Sequence, residues 1–286
     1  MRDDDCVAFL QWALPQLQMR WAGFRKVHKR VCKRLARRLA ELGLDDLDGY
    51  RAHLAARPDE WPVLDGLCRV VISRFYRDRL VYAALTDQVL PALAADVRGT
   101  DDGTVHCWSV GSASGEEPYT LAIIWRQLLA ARYPGVELAI LGTEVDAQLL
   151  DRASRACYAA GTLRNLPEAL RSAAFHQNGE LYCLHGDIQA LVRFSRQDVR
   201  AALPAGPFQL ILCRNLVFTY FDEALQRRLL DQLLARLAPG GWLVLGVHEG
   251  LPVHPAELVV VSERLGLYRK ASAVAQHQGA ENHLDG

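Results

Sequence analysis

The segment WSVGSASGEEPYT, from Trp108 to Thr120, sets two glycines among small residues, between a strand-like stretch and a helix-like one. Gly111 and Gly115 permit a tight turn and let backbone come close to a ligand. Their G-x-x-x-G spacing is neither the dinucleotide fingerprint nor a P-loop. The next two residues, Glu116 and Glu117, argue against a phosphate. A helix start attracts anions through its free N–H groups and dipole, so carboxylates in its first turn repel pyrophosphate and welcome a cationic group. The same acids, followed by Pro118, also suit a helix that binds nothing, because they stabilise its first turn.

Polar groups recur at the ends of the later strand-like segments. ILGTEVD brings Glu144 and Asp146 to one such end, where a carboxylate can accept both hydroxyls of a ribose. FSRQDV sets Asp198 after the short strand LVRF, a place from which it can hold an adenine amino group, and LILCRN ends on Asn215. Such residues above an otherwise apolar sheet outline a ligand crevice. S-adenosylmethionine fits it, with an ammonium, a sulfonium, a ribose and an adenine but no phosphate.

A sheet is needed to hold these residues in register. From about residue 104, short apolar runs (TVHCWSV, VELAILGTEV, FQLILCRN, GGWLVLGV) alternate with helix-like ones (PYTLAIIWRQLLAARY, AQLLDRASRACY, DEALQRRLLDQLLARL), and ELVVVSERLGLYRK closes as a strand pair. The alternation predicts an α/β fold with a mostly parallel sheet covered by helices. GELYCLHG, in the interval 161–192, breaks the rhythm as a small inserted β subdomain would. The first hundred residues read as helices instead. In FRKVHKRVCKRLARRLAEL, Phe24, Val27, Val31, Leu35, Leu39 and Leu42 line one face, and Gly43 is a stop. EWPVLDGLCRVVISRFYRD reads as a further helix-like segment, and the tail looks disordered.

The 286 residues are half apolar and carry no net charge, as in an ordinary soluble globular protein. No window approaches the roughly 20 uninterrupted apolar residues of a membrane span, and MRDDDC is no signal peptide, so the expectation is a cytoplasmic protein without membrane insertion. Seven scattered cysteines without a C-x-x-C pair read as reduced packing residues, and the dispersed histidines offer no metal site. The neutral total hides a segregation. No acidic residue occurs from Cys6 to Ala40, while Arg20, Arg25, Lys26, Lys29, Arg30, Lys33, Arg34, Arg37 and Arg38 crowd one stretch.

ISRFYRD, WSVGSASGEEPYT, FQLILCRNLVFTYFD and LAPGGWLVLGVHEG, in that order, resemble the CheR-type chemotaxis-receptor methyltransferases, which transfer methyl from S-adenosylmethionine to receptor glutamates. The resemblance covers about residues 20 to 270. It implies a helical domain over 1–90, a class I (Rossmann-like) methyltransferase domain over 91–272 with its β subdomain at 161–192, and a tail at 273–286. By position it implies that Ser73 and Arg77 help close over the cofactor, with Glu117 at the methionine amino group, Glu144 at the ribose and Asp198 at the adenine. Gly111, Asn215 and Leu216 complete the expected cofactor contacts, and Tyr220 and Arg77 are the expected catalytic pair. The alternative for Arg77 is a surface or capping arginine, and for Tyr220 a core tyrosine with a wet hydroxyl.

The chain departs from the family at Val71, where a polar cofactor contact is usual, at Glu144, which replaces an aspartate, and in the longer CRNLVFTYFD and altered GVHEG. An ionised glutamate acceptor needs no general base, so the lack of a Ser-His-Asp or Cys-His set is in keeping. The basic helix suits an acidic helical protein acceptor, such as a chemoreceptor; a solvated helix face is the plainer reading. Nucleic acid is disfavoured, since aromatics among the charges are sparse. Two other functions remain open, methylation of another carboxylate and a non-catalytic S-adenosylmethionine-binding signalling module.

Overall fold

A computed structural model describes residues 2–272, and the expected tail at 273–286 lies outside them. The chain divides into two compact units: the chain up to Ile72 with Thr219–Gln226, and Ser73–Phe218 with the chain from Arg227 onward.

The first unit is helical. Its main helix, His28–Leu42, buries Val31, Cys32, Leu35 and Leu39 and ends at Gly43, whose φ of +67° glycine adopts without a Cβ clash. Lys29, Arg30, Lys33 and Arg37 lie exposed on it. Arg34 and Arg38 do not belong to that free face: Arg34 donates to the Leu67 carbonyl, and Arg38 grips the buried carboxylate of Glu60. Cys6 is disulfide-bonded to Cys32, and in the second unit Cys157 to Cys183, which corrects the expectation of seven reduced thiols. Singly scattered cysteines give no spacing signal, because each pair is 26 residues apart and meets only when its elements pack. The expected helix through EWPVLDGLCRVVISRFYRD stops at Cys68. The β-branched run Val70, Val71, Ile72 disfavours helix, and the chain continues without regular structure until Arg79.

The second unit is α/β. Its strands are β1 (Thr104–Val110), β2 (Glu137–Glu144), β3 (Cys157–Ala159), β4 (Phe175–Asn178), β5 (Leu181–Leu184), β6 (Val192–Arg196), β7 (Phe208–Cys213), β8 (Leu237–Leu245), β9 (Leu258–Ser262) and β10 (Leu267–Lys270). Seven form one sheet in the order β6-β2-β1-β7-β8-β10-β9. The first five run parallel, and β10 is antiparallel to both β8 and β9. The chain builds outward from β1 to β2 and β6, then returns to β7 and β8, so the order reverses between β1 and β7. In open α/β sheets ligands bind at such a reversal, beyond the carboxyl ends of the strands.

The inserted subdomain is a three-stranded antiparallel sheet in the order β3-β5-β4, starting slightly earlier than expected because Cys157–Ala159 leaves the preceding helix. The expected domain boundary at residue 90 also moves. Phe75, Val81, Tyr82, Leu85 and Val89 are buried with Cys107, Leu121 and Leu210 in the sheet's core, so Ser73 onward belongs to the second unit. The continuous helix Arg79–Val97 is long and apolar enough to cross a membrane by length and composition, although Asp87 and Asp96 interrupt its apolar run. Its Val81, Leu85, Val89, Leu90 and Leu93 are core residues of this unit.

Candidate active site

The site starts where β1 ends. Gly111 turns the chain at φ +69°, and a Cβ there would lie 2.5 Å from Leu216 Cδ2, so glycine lets the loops after β1 and β7 meet. Ser112 N–H donates to the Thr143 carbonyl (2.9 Å), and the Trp108 indole N–H to the Thr143 hydroxyl (2.9 Å), tying this turn to β2. Glu144, the last residue of β2, accepts from Ala113 N–H at 3.1 Å through Oε2, and from Val145 and Asp146 N–H at 2.8 and 3.1 Å through Oε1. Its longer side chain thus folds back over its own strand end and joins the β1 turn to β2.

The helix Glu116–Ile124 follows, and its first two acids differ in environment. Glu116 is 4% exposed, and its Oε2 is buried without a hydrogen-bond partner. Burial raises its carboxyl above the usual glutamate range, against backbone hydrogen bonding and the Ser73 side chain. Glu117 keeps 16% side-chain exposure and is held at both oxygens. Ser109 Oγ donates to Oε1 at 2.8 Å and Arg214 Nη1 to Oε2 at 3.0 Å. Burial pushes this carboxyl up as well, opposed first by the Arg214 charge and then by Ser109.

Arg214 carries no role in the sequence reading, although it sits at the centre of this cluster. Its side chain is 3% exposed, and Nη2 donates to Asp78 Oδ2 at 2.7 Å and to the Arg77 carbonyl at 3.3 Å. The guanidinium also lies 5.5 Å from the centre of the Tyr82 ring. Burial works against its charge, but Tyr82, Glu117 and Asp78 outweigh it and raise the pKa. One signal was present: a charged residue closing the apolar run FQLILC is rarely buried unless paired.

Arg77 and Asp78 lie in the irregular segment before Arg79, where Tyr76 and Asp78 take left-handed φ of 57° and 65°. Tyr76 N–H donates to Thr120 Oγ1 at 3.1 Å, which seats the segment on the Glu116–Ile124 helix. The Arg77 side chain is 38% exposed and 4.0 Å from Asp78 Oδ2. The cation bonded to Glu117 is therefore Arg214, with Arg77 a weaker electrostatic influence.

Asn215, the residue after Arg214, has φ +59° and donates its N–H to Glu249 Oε2 at 2.7 Å; Gly246 N–H donates to the same oxygen at 2.7 Å. Glu249, part of the divergent GVHEG, thus draws the ends of β7 and β8 together. A Cβ on Gly246 would overlap the Asn215 amide nitrogen. Ser73, Arg77, Gly111, Glu117, Asn215 and Leu216 thereby form one linked set around the ends of β1 and β7, and Glu144 joins it through Ala113. Asp198 follows β6 and is gripped by Arg200, whose Nη2 is 2.8 Å from Oδ2. Tyr220 belongs to the helical unit, where its ring meets Phe24 edge-on at 5.1 Å and its carbonyl accepts from Arg20 N–H.

The family described as CheR methyltransferase, SAM binding domain, matches residues 72–266. The chain belongs to this family. It is an S-adenosylmethionine-dependent methyltransferase of the CheR type, and its sheet is the expected class I fold. The family match begins one residue before the second structural unit does. A chemotaxis protein methyltransferase of Klebsiella aerogenes is 33% identical over 235 residues, covering 78% of this chain and 76% of that protein. Chemotaxis protein methyltransferase 2 of Pseudomonas aeruginosa is 30% identical over 235 residues, covering 80% of each. Among solved structures, the N-methyltransferase NodS of Bradyrhizobium japonicum WM9 with S-adenosylhomocysteine aligns with a TM-score of 0.33 and 17% identity, over 59% of this chain and 63% of that one.

The residues of this CheR-type enzyme suit the donor. Ser112 Oγ and Glu116 Oε2 are buried without hydrogen-bond partners beside the β1 turn, so polar capacity remains there for a ligand. Among the described residues no group of His, Cys, Asp and Glu could hold a metal.

Proposed function

We propose that this methyltransferase esterifies glutamate side chains of an acidic helical protein of the chemoreceptor type. In this reading Glu117 receives the donor's ammonium, Glu144 the ribose and Asp198 the adenine side, while Ser73, Gly111, Asn215 and Leu216 shape the cradle. The observation that carries the donor orientation is the partly exposed Glu117, paired with the buried Arg214 and carrying a carboxylate at a helix start where a phosphate would be repelled. The relatives' designation as chemotaxis protein methyltransferases supports the acceptor class.

S-adenosylmethionine, when bound, supplies an electrophilic methyl on a sulfonium. A glutamate carboxylate is already ionised at neutral pH, so the chain has to align one oxygen with that methyl, exclude water and keep the charge in place. One C–O bond forms, one C–S bond breaks, and no proton is transferred. Arg77 orients the carboxylate, as does Tyr220 through a hydrogen bond from its hydroxyl. Lys29, Arg30, Lys33 and Arg37, exposed on one helix, supply a field that steers an acidic helix in. A cytoplasmic location accords with such a partner.

The test is incubation with methyl-labelled S-adenosylmethionine and fractionated cells, followed by base treatment. Label in a membrane or protein fraction, released as methanol, is the expected result; label confined to small metabolites overturns the acceptor. Lys29→Glu, Lys33→Glu and Arg37→Glu together should lower acceptor methylation about tenfold or more at low salt, with cofactor affinity unchanged. Equal methylation by the triple variant would leave the basic face a solvated one.

A further inference from the structure

We infer that Arg214 is a positioning residue for donor binding, whose buried guanidinium holds Glu117 ionised and aimed at the crevice. The inference rests on the proposed placement of Glu117 at the donor's ammonium. Both carboxylate oxygens of Glu117 are fixed, one by a neutral donor, Ser109, and one by Arg214, so the rotamer is set from two sides. Ser109 lies on β1 and Arg214 directly follows β7, which frame the point where strand order reverses. Further guanidinium contacts, to Asp78, the Arg77 carbonyl and the Tyr82 hydroxyl, keep the arginine from turning outward and link the cluster to the segment before Arg79.

A buried carboxylate without a compensating cation takes up a proton, and a protonated Glu117 offers no charge to an ammonium. Arg214 is therefore not a competitor for that site. A carboxylate oxygen accepts more than one hydrogen bond, and a planar guanidinium occupies its own lone-pair direction while leaving others to an incoming N–H. Arg77 is a weaker substitute for this role, because its side chain is partly solvated, lies 4.0 Å from Asp78 and ranks last among the influences on Glu117.

The experiment is calorimetric titration of full-length protein across pH 6.5 to 9 with two probes. S-adenosylhomocysteine carries the ammonium without the sulfonium; methylthioadenosine lacks the whole amino-acid end. For Arg214→Met, S-adenosylhomocysteine affinity should fall about ten- to a hundredfold near pH 7, the range for loss of one charge-assisted hydrogen bond, and recover as pH rises. Methylthioadenosine affinity should stay within about twofold, which also shows that the variant is folded. Arg214→Lys keeps a cation without the fork, so it should fall between the two. Equal weakening for both probes at all pH would make Arg214 purely structural, and tighter S-adenosylhomocysteine binding at every pH would make it a competitor; either overturns the inference. Glu117→Gln separates the underlying reading: if it leaves S-adenosylhomocysteine affinity unchanged, Glu117 is not at the ammonium.

Discussion

Gly246→Ala isolates the role of Asn215 without altering a polar side chain. A Cβ on residue 246 overlaps the Asn215 amide nitrogen and lies 2.8 Å from Glu249 Oε2, the oxygen that accepts from both Asn215 and Gly246 N–H. Non-bonded heavy atoms settle near about 3.5 Å, so the amide has to retreat by about an ångström or more. If Asn215 meets the cofactor as proposed, a displaced amide weakens that contact, and Glu249 gives up part of two charge-assisted hydrogen bonds. Each is worth about 1.5–3 kcal/mol, which sets a fall in S-adenosylhomocysteine affinity of about ten- to a hundredfold. The φ of Gly246 is not in the left-handed region, so the effect is steric and not a backbone penalty. Gly250→Ala, where a Cβ meets nothing within 4 Å, is the matched control. Calorimetric titration reads affinity, and thermal unfolding reports whether the strand ends remain closed. If Gly246→Ala folds like the control and binds S-adenosylhomocysteine within about twofold of it, Asn215 does not hold the cofactor and the reasoning fails.

Tyr220→Phe should lower kcat about tenfold or more while leaving cofactor Kd nearly unchanged, since the hydroxyl is assigned to aligning the acceptor; an unchanged kcat removes Tyr220 from the mechanism. Glu60→Gln should destabilise the helical unit by about 3 kcal/mol in denaturant unfolding, because Arg38, gripped at 2.9 and 2.7 Å, loses its charged partner and one of the two oxygens, leaving a single amide oxygen for Arg38 and the Tyr50 hydroxyl. The pH dependence of that difference has a defined sign. The Arg38 bonds hold the Glu60 carboxyl below its usual range against burial, with Tyr50 assisting. Its stabilisation is thus complete above the ordinary carboxylate pKa and lost as pH falls through the depressed folded value. The gap between wild type and Glu60→Gln should therefore shrink on acidification, and a constant gap would assign the loss to packing.

Much of this architecture was legible in the chain because it follows from local periodicity. The period-two and period-3.6 runs after residue 104 specify alternating strands and helices, and GELYCLHG marks β5 of the inserted sheet. The places of Glu144, Asp198 and Asn215 at or after strand ends were legible from the apolar runs before them, since strand ends are set by local sequence. Arg214 was missed because its partners Asp78 and Glu117 are distant in sequence, so no spacing announces the cluster. Glu249 stood out only as part of a divergent motif, and its bond to Asn215 depends on adjacent β7 and β8.

The amino-acid sequence by itself determined the fold class, the helical start of the chain and the family, because each lies in short-range pattern or in motif order. Tertiary structure decided which charges meet. It divided the basic stretch into an exposed set and a set bonded within its unit, turned Glu144 back onto its own strand end, and gave Glu117 a buried arginine partner. The physical reason is that hydrophobic pattern is carried residue by residue, whereas desolvation and pairing of a charge depend on groups that only folding brings within a few ångströms.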